Sequence, residues 1–387
     1  MSALAGAAAL ALGTLGPAQE AARESGWIPV ELYLSSYVYL RGTVNGVATD
    51  IVLDSGAGAT VVDAALAERL DLEEAGAVTA LGVGGTQGAA FLEAIDVELG
   101  ALRLRVPRPV KIDMSGVHAQ LGRDMPVILG QEAFRALVVD LDYPRARVAF
   151  REPDGSEYAG PGHTVPLLFA PDGRFLVEVE VEGRSAPLAL DTGSGETLDL
   201  FRAFTAEHGL LEGRSPISEK QGGGVGGLLT SRIATLRTVA LAGYTLSEVP
   251  AGFPAQEKGA FHTAAMAGNL GAGILSRFRV VFDVPRQRLT FEPGDDLHTR
   301  PFRRNRAGLH GQFREGAFVL GFVAPGSPAA AAGFAAGERI TSLNGEALAP
   351  DTWRLVVRRW VEAPAGTELT LVDDQGRARR LVSADYY

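Results

Sequence analysis

The sequence predicts a mainly β protein in which one small unit is used twice and a separate C-terminal module follows. Three observations predict it. Forty-eight of the 387 residues are glycine, which suits a chain full of turns. Short apolar and β-branched runs alternate with turn signals along most of the length. A set of motifs then recurs in the same order at nearly constant spacing, until the pattern changes near Pro301.

The repeat is read residue by residue. Val44-Asn45-Gly46 returns as Val181-Glu182-Gly183, and Leu53-Asp54-Ser55-Gly56 returns as Leu190-Asp191-Thr192-Gly193, at an offset of 191 − 54 = 137. Gly82-Val83-Gly84-Gly85 returns as Gly224-Val225-Gly226-Gly227, at 224 − 82 = 142. Leu129 to Phe150 returns as Leu270 to Phe291, at 270 − 129 = 141, sharing Asp142/Asp283, Arg145/Arg286 and Arg147/Arg288. Each copy spans about 120–130 residues, the size of a small domain. The expected organisation is a leader over 1–27, a first lobe over 28–157, a second lobe over 158–299 and the C-terminal module over 300–387.

Within each unit, Tyr37–Val44 and Phe175–Val181 read as strands that run into an Asn-Gly or Glu-Gly turn. Ile51–Leu53 and Leu188–Leu190 are short buried strands, each delivering an Asp at its end. Asp63–Leu70 and Asp199–His208 have acidic starts and apolar residues three or four apart, so short helices are expected there. Gln131–Leu137 and Ala272–Phe278 are expected as a second helical turn in each unit. The Pro- and Gly-rich stretch from Pro153 to Gly162 separates the copies.

Composition removes whole classes of function. There is no cysteine, so disulfides, thiol catalysis and zinc–thiolate sites are excluded. The net charge of −10 argues against a nucleic-acid partner. None of the six histidines pairs with another at the i, i+4 spacing of a helical zinc site, and neither a metal nor a cofactor is expected. Gly222–Gly227 matches G-x-G-x-x-G by letter but follows polar Glu219-Lys220-Gln221 and lies in no βαβ unit, so a nucleotide site is not expected. No G-x-S-x-G elbow or P-loop occurs. Ser2–Ala18 is uncharged and rich in Ala, Leu and Gly, and resembles an export signal. A periplasmic or extracellular protein is expected, touching a membrane only through that leader as an anchor.

A single Asp-Ser-Gly is ordinary turn chemistry. Here it occurs twice, each time after a buried strand and each time with a Leu-Gly downstream, Leu129-Gly130 and Leu270-Gly271. A two-fold duplicated unit brings equivalent loops together on its pseudo-axis, which would set Asp54 beside Asp191. Two carboxylates a few Å apart hold one proton between them, because ionising both is costly. One then serves as general base on a water while the other donates to a carbonyl oxygen. Gly56 and Gly193 are expected to let the backbone turn tightly and to present N–H donors, and Ser55 and Thr192 to bond across the axis.

These residues resemble the pepsin/retropepsin superfamily of aspartic proteases, in a single-chain bacterial form with two retropepsin-like lobes. The resemblance covers about residues 30 to 295. It implies a bilobal β fold with a cleft between the lobes, Asp54 and Asp191 as the catalytic pair, and Gly130 and Gly271 supporting their loops. It also implies flaps tipped by Gly84-Gly85 and Gly226-Gly227, which close over an extended peptide. Three features depart from the family. Asn269 replaces an apolar residue before Gly271; Gln131 and Ala272 stand where retroviral enzymes carry Arg; Glu196 either perturbs the local charge or points to solvent.

Val323 to Gly345 resembles the bacterial PDZ signature: a Gly-Ser-Pro-Ala helix, Ala-Gly, Gly-Glu, Ile and Asn-Gly in order. Trp353–Val361 is expected as the helix beside a peptide groove, Glu368–Val372 and Arg379–Val382 as a closing hairpin, and Gly308-Leu309 as the carboxylate-binding loop. Such a groove implies protein C-termini as partners. Arg300, Arg303, Arg304 and Arg306 read as a solvated basic linker. The expected function is an aspartic endopeptidase acting on peptide or unfolded protein, which the PDZ module captures or positions. The alternative is a non-catalytic peptide-binding scaffold on the same fold.

Overall fold

The computed structural model describes residues 22–154, 157–255 and 265–387. The expected export signal, Ser2–Ala18, lies outside them. Among the described residues the strands fall into three sheets of fifteen, eight and six strands, dominated respectively by the first unit, the second unit and the C-terminal module. Ser25, assigned from sequence to the leader, is part of the first lobe: its N–H donates to Phe150 O at 2.9 Å and its hydroxyl accepts from Phe150 N.

Both units build the same frame. Tyr37–Val44 turns through Asn45-Gly46 into Val47–Leu53, and Phe175–Val181 turns through Glu182-Gly183 into Arg184–Leu190. Both turns have positive φ at their two central residues (48° and 80°, 48° and 78°), the geometry that matches the twist of a hairpin. The apolar strand Val127–Leu129 then lies parallel to Ile51–Leu53, and Gly268–Leu270 lies parallel to Leu188–Leu190. Asp54 N–H donates to Leu129 O and Asp191 N–H to Leu270 O, so each Leu-Gly element fixes the loop that carries its Asp.

The helices are shorter than the periodicity predicts: Ala64–Arg69, Arg202–Glu207, Gln131–Ala136 and Ala272–Leu275. Asp199, expected to open a helix, sits instead in the strand Leu198–Leu200, buried against Lys220. Phe278 opens the next strand rather than closing a helix.

The lobes join through Val138–Asp142 and Phe278–Asp283, paired antiparallel. Asp140 faces Val281, and 281 − 140 = 141 is the repeat offset, so the pseudo-axis passes through that pair. Asp140 is fully buried and accepts two hydrogen bonds of 2.8 Å from Arg279 of the other lobe, with Arg151 as a further partner. The shared Asp-x-x-Arg-x-Arg motif has a local task. Asp142 binds Arg145 and Arg147, and Asp283 binds Arg286 and Arg288, around equivalent turns.

In the C-terminal module, Ser327 caps the helix Pro328–Ala331 through its hydroxyl, and Trp353–Val361 packs beside the edge strand Leu309–Arg314. The arginines before it are half-buried and bonded rather than a freely solvated run; Arg300 pairs with Asp296. Arg303 donates to Ser36 Oγ at 2.6 Å and to Gly195 O, touching both lobes. Arg304 donates to Thr235 and to Glu248 O, and Arg306 pairs with Asp385. Backbone carbonyls and hydroxyls of the lobes draw these cations in, so the connector is an anchor.

Removing a buried partner strands the charge it neutralised. Asp140→Ala is expected to cost about 3–5 kcal/mol in urea denaturation, because Arg279 and Arg151 lose their shared carboxylate at the lobe junction.

Candidate active site

Asp54 and Asp191 meet at the floor of the cleft and share a hydrogen bond. Behind them the hydroxyls cross the axis. Ser55 N–H donates to Thr192 Oγ1 at 3.0 Å and Thr192 N–H to Ser55 Oγ at 3.1 Å. Ser55 Oγ in turn donates to Leu190 O at 2.8 Å and Thr192 Oγ1 to Leu53 O at 2.9 Å. All donors and acceptors in this square are satisfied, and both side chains are fully buried.

Gly56 and Gly193 present N–H donors as expected: Gly56 N and Ala57 N donate to Asp54 Oδ1 at 2.8 and 3.1 Å, and Gly193 and Ser194 do the same for Asp191. Their need to be glycine has another cause than a tight turn. A Cβ on Gly193 would lie 2.2 Å from the Asp54 carboxyl carbon, and one on Gly56 would lie 2.7 Å from that of Asp191. Each glycine clears space for the other lobe's acid. Gly130 and Gly271 are packed as closely, against the backbone of Ala59 and Glu196.

The two acids are not equivalent. Asn269 Nδ2 donates to Asp191 Oδ2 at 2.8 Å, whereas the matching residue of the first lobe is the apolar Ile128. Burial raises the pKa of Asp54, and the neighbouring Asp191 charge raises it further. Burial also raises Asp191, but the donors from Asn269, Asp54, Gly193 and Ser194 oppose it by favouring its ionised form. The Asn269 donor thus favours the ionised form on Asp191 and the shared proton on Asp54. Asn269 looked from sequence like a lost apolar residue; only the register of its strand shows it as a donor.

Gln131 replaces the expected Arg with a brace of its own, donating from Nε2 to Ser55 O at 3.1 Å. Glu196 accepts from Lys220 Nζ at 2.6 Å, and Lys220 also binds Asp199 at 3.1 Å. Burial works against the Lys220 charge, but Asp199 and Glu196 outweigh it and lift the ammonium above its ordinary pKa.

Two hairpins cover the cleft, Glu74–Gly82 with Gly85–Leu92 and Ser218–Gly224 with Gly227–Leu241. Their tips touch: Gly84 N–H donates to Val225 O at 3.0 Å. A Cβ on Gly84 would fall 2.2 Å from Gly227 N, and one on Gly226 would fall 2.4 Å from Gly85 N. The flap glycines thus permit one tip to lie on the other.

Residues 40–133 match the family model of the aspartyl proteases, and residues 323–372 match that of the PDZ domain. These two stretches are thus similar to an aspartyl protease domain and a PDZ domain. The first match includes Asp54 and Leu129-Gly130; the second lobe lies outside it and is tied to the first by the internal repeat. Among solved structures the chain is similar to the aspartic proteinase from Irpex lacteus, at 13% identity and a TM-score of 0.46, over 71% of this chain and 98% of that one. No curated protein matches it.

A cavity of about 1030 Å³ reaches from Asp54 and Asp191 to the PDZ domain, with Leu309, His310, Arg354 and Val361 in its wall. The expected carboxylate loop is partly engaged already, since Asn305 Oδ1 accepts from Ala307 N at 3.2 Å and Gly308 N at 2.7 Å. Gly308 has φ of +81°, and a Cβ there would lie 2.1 Å from Ser327 Cβ. Among the described residues no three His, Asp or Glu side chains are grouped as metal ligands.

Two substitutions probe this arrangement. Ser55→Ala is expected to cost about 1–3 kcal/mol in urea denaturation, because Thr192 N–H and Leu190 O lose their buried partner. Gly193→Ala displaces the Asp54 carboxyl; a crystal structure of the variant is expected to show the pair separated on an otherwise intact fold.

Proposed function

We propose that the chain is an aspartic endopeptidase that hydrolyses peptide bonds in extended segments, with the PDZ domain holding the peptide or protein substrate. The observation that carries this reading is the contact of Asp54 with Asp191 across two lobes. Asp191, whose ionised form the Asn269 donor favours, takes a proton from a water lying between the acids. The water oxygen adds to the scissile carbonyl carbon as Asp54 gives its proton to the carbonyl oxygen. The tetrahedral diol then collapses: Asp191 passes its proton to the amide nitrogen, a diol hydroxyl returns its proton to Asp54 as the C=O re-forms, the C–N bond breaks, and one proton remains on the pair. The closed flaps exclude bulk water during this exchange. The uncharged apolar N-terminal run supports an exported enzyme.

Asp191→Asn and Asp54→Asn are each expected to lower kcat/KM on an unfolded protein by about 10²–10⁴-fold, while the fold persists. Equal cleavage by wild type and Asp191→Asn would refute the pair; a folded wild type that binds peptide but cleaves nothing between pH 3 and 9 would leave the scaffold reading. The pH profile follows from the shifts. Activity needs one proton on the pair, so it falls at low pH when Asp191 is protonated and at high pH when Asp54 ionises. Since Asp54 is raised, the alkaline limb is expected well above the ordinary carboxylate range. Asn269→Leu removes a donor that favours ionised Asp191, so the acid limb is expected to move to higher pH.

A further inference from the structure

The PDZ domain does not stand apart from the cleft. The cavity that holds Asp54 and Asp191 also takes in the edge strand Leu309–Arg314 and the helix face Arg354, Val357, Arg358 and Val361. Among the described residues, three sheet edges with no further strand paired to them border it. The flap strands Glu74–Gly82 and Ser218–Gly224 end their sheets, and Leu309–Arg314 ends the PDZ sheet. An extended peptide satisfies such an edge by adding to it as a strand. His310 on the PDZ edge bonds the backbone of Gln221 on the second flap, which sets the PDZ edge against that flap.

The charge of this stretch is opposite to that of the whole chain. Arg303, Arg314, Arg354 and Arg358 line its PDZ side against one acid, Glu362, which Arg358 already binds at 3.1 Å. Arg303 is bonded to carbonyl and hydroxyl oxygens and Arg314 to Gln312, while among the described residues the buried Nε of Arg354 has no hydrogen-bond partner. Glu196, the acid across the junction, is taken by Lys220. A half-buried guanidinium in a cavity wall, with no carboxylate of its own among the described residues, is a strong site for one. The chain end is less well served, because Asn305 holds the amides of Ala307 and Gly308.

We propose that groove and cleft form one peptide channel, and that the substrate is an extended segment whose acidic side chain pairs with Arg354 on the PDZ side while the scissile bond lies between the lobes. The proposal rests on the peptidase reading for the cleavage, but not for the binding. Selection is by side-chain charge and not by a free C-terminus.

The test uses two fluorogenic peptides, identical at the cleaved segment, whose trailing segments differ only in Glu or Gln. Wild type is expected to show a KM on the order of tenfold lower for the Glu peptide with kcat unchanged, whether the C-terminus is free or amidated. Arg354→Gln is expected to erase the difference, with circular dichroism showing that the variant is folded. Arg354→Glu should turn the preference toward a Lys peptide. Equal KM values in wild type, or a preference that survives Arg354→Gln, would overturn the proposal. Binding of both peptides to the full-length Asp191→Asn protein, read by fluorescence anisotropy, separates the two claims. Preference for Glu without cleavage by any variant would sink the peptidase and keep the channel; binding without preference, or no binding, would sink the channel.

Discussion

Ser55 and Thr192 each give a hydroxyl proton to a backbone carbonyl of the opposite lobe and accept a backbone N–H from the opposite loop. The rest of the site depends on that exchange. Two carboxylates forced together repel once both ionise, so the loops that carry them need an attachment independent of the acids. The crossed hydroxyls supply it in a dry setting, where a satisfied hydrogen bond is strong and an unsatisfied one costly. Gly56 and Gly193 then make the approach sterically feasible, and the parallel Leu-Gly strands keep each loop from recoiling.

The duplicated unit has kept its frame and diverged at the points that set charge. Ile128 and Asn269 are equivalent positions, yet only Asn269 can donate to a carboxylate. Glu132 accepts from Thr60 N and Oγ1 in the first lobe, while its counterpart Gly273 lies where a Cβ would strike Thr197. Lys220, Glu196 and Asp199 form a charge cluster in the second lobe only. A symmetric frame brings the acids together; asymmetric neighbours decide which of them keeps the proton.

Much of this was legible in the sequence because it recurs. The two Asp loops, their hydroxyls and glycines, the flap tips and the helix Trp353–Val361 all announce themselves through repetition or local signature. What escaped is what depends on who lies opposite. The role of Gly193 is set by Asp54 in another lobe, and a polar Asn269 reads as a defect until its partner is known. Arg303 and Arg304 look like a solvated run because nothing local shows the carbonyls waiting for them. Asp199 has the pattern of a helix start but is drawn into a strand by Lys220. Periodicity reports neighbours along the chain, and these four cases are decided by neighbours across it.

The proposed catalysis turns on a single proton shared by Asp54 and Asp191 and held mainly by Asp54. Carboxyl-carbon NMR of protein labelled at aspartate, followed from pH 3 to 10 with Asp54→Asn and Asp191→Asn spectra to locate the two signals, reads this directly. The account predicts two separated, mutually dependent titrations, the later one well above the ordinary carboxylate range and lost in Asp54→Asn. Two independent titrations, both near the ordinary aspartate value, would contradict it.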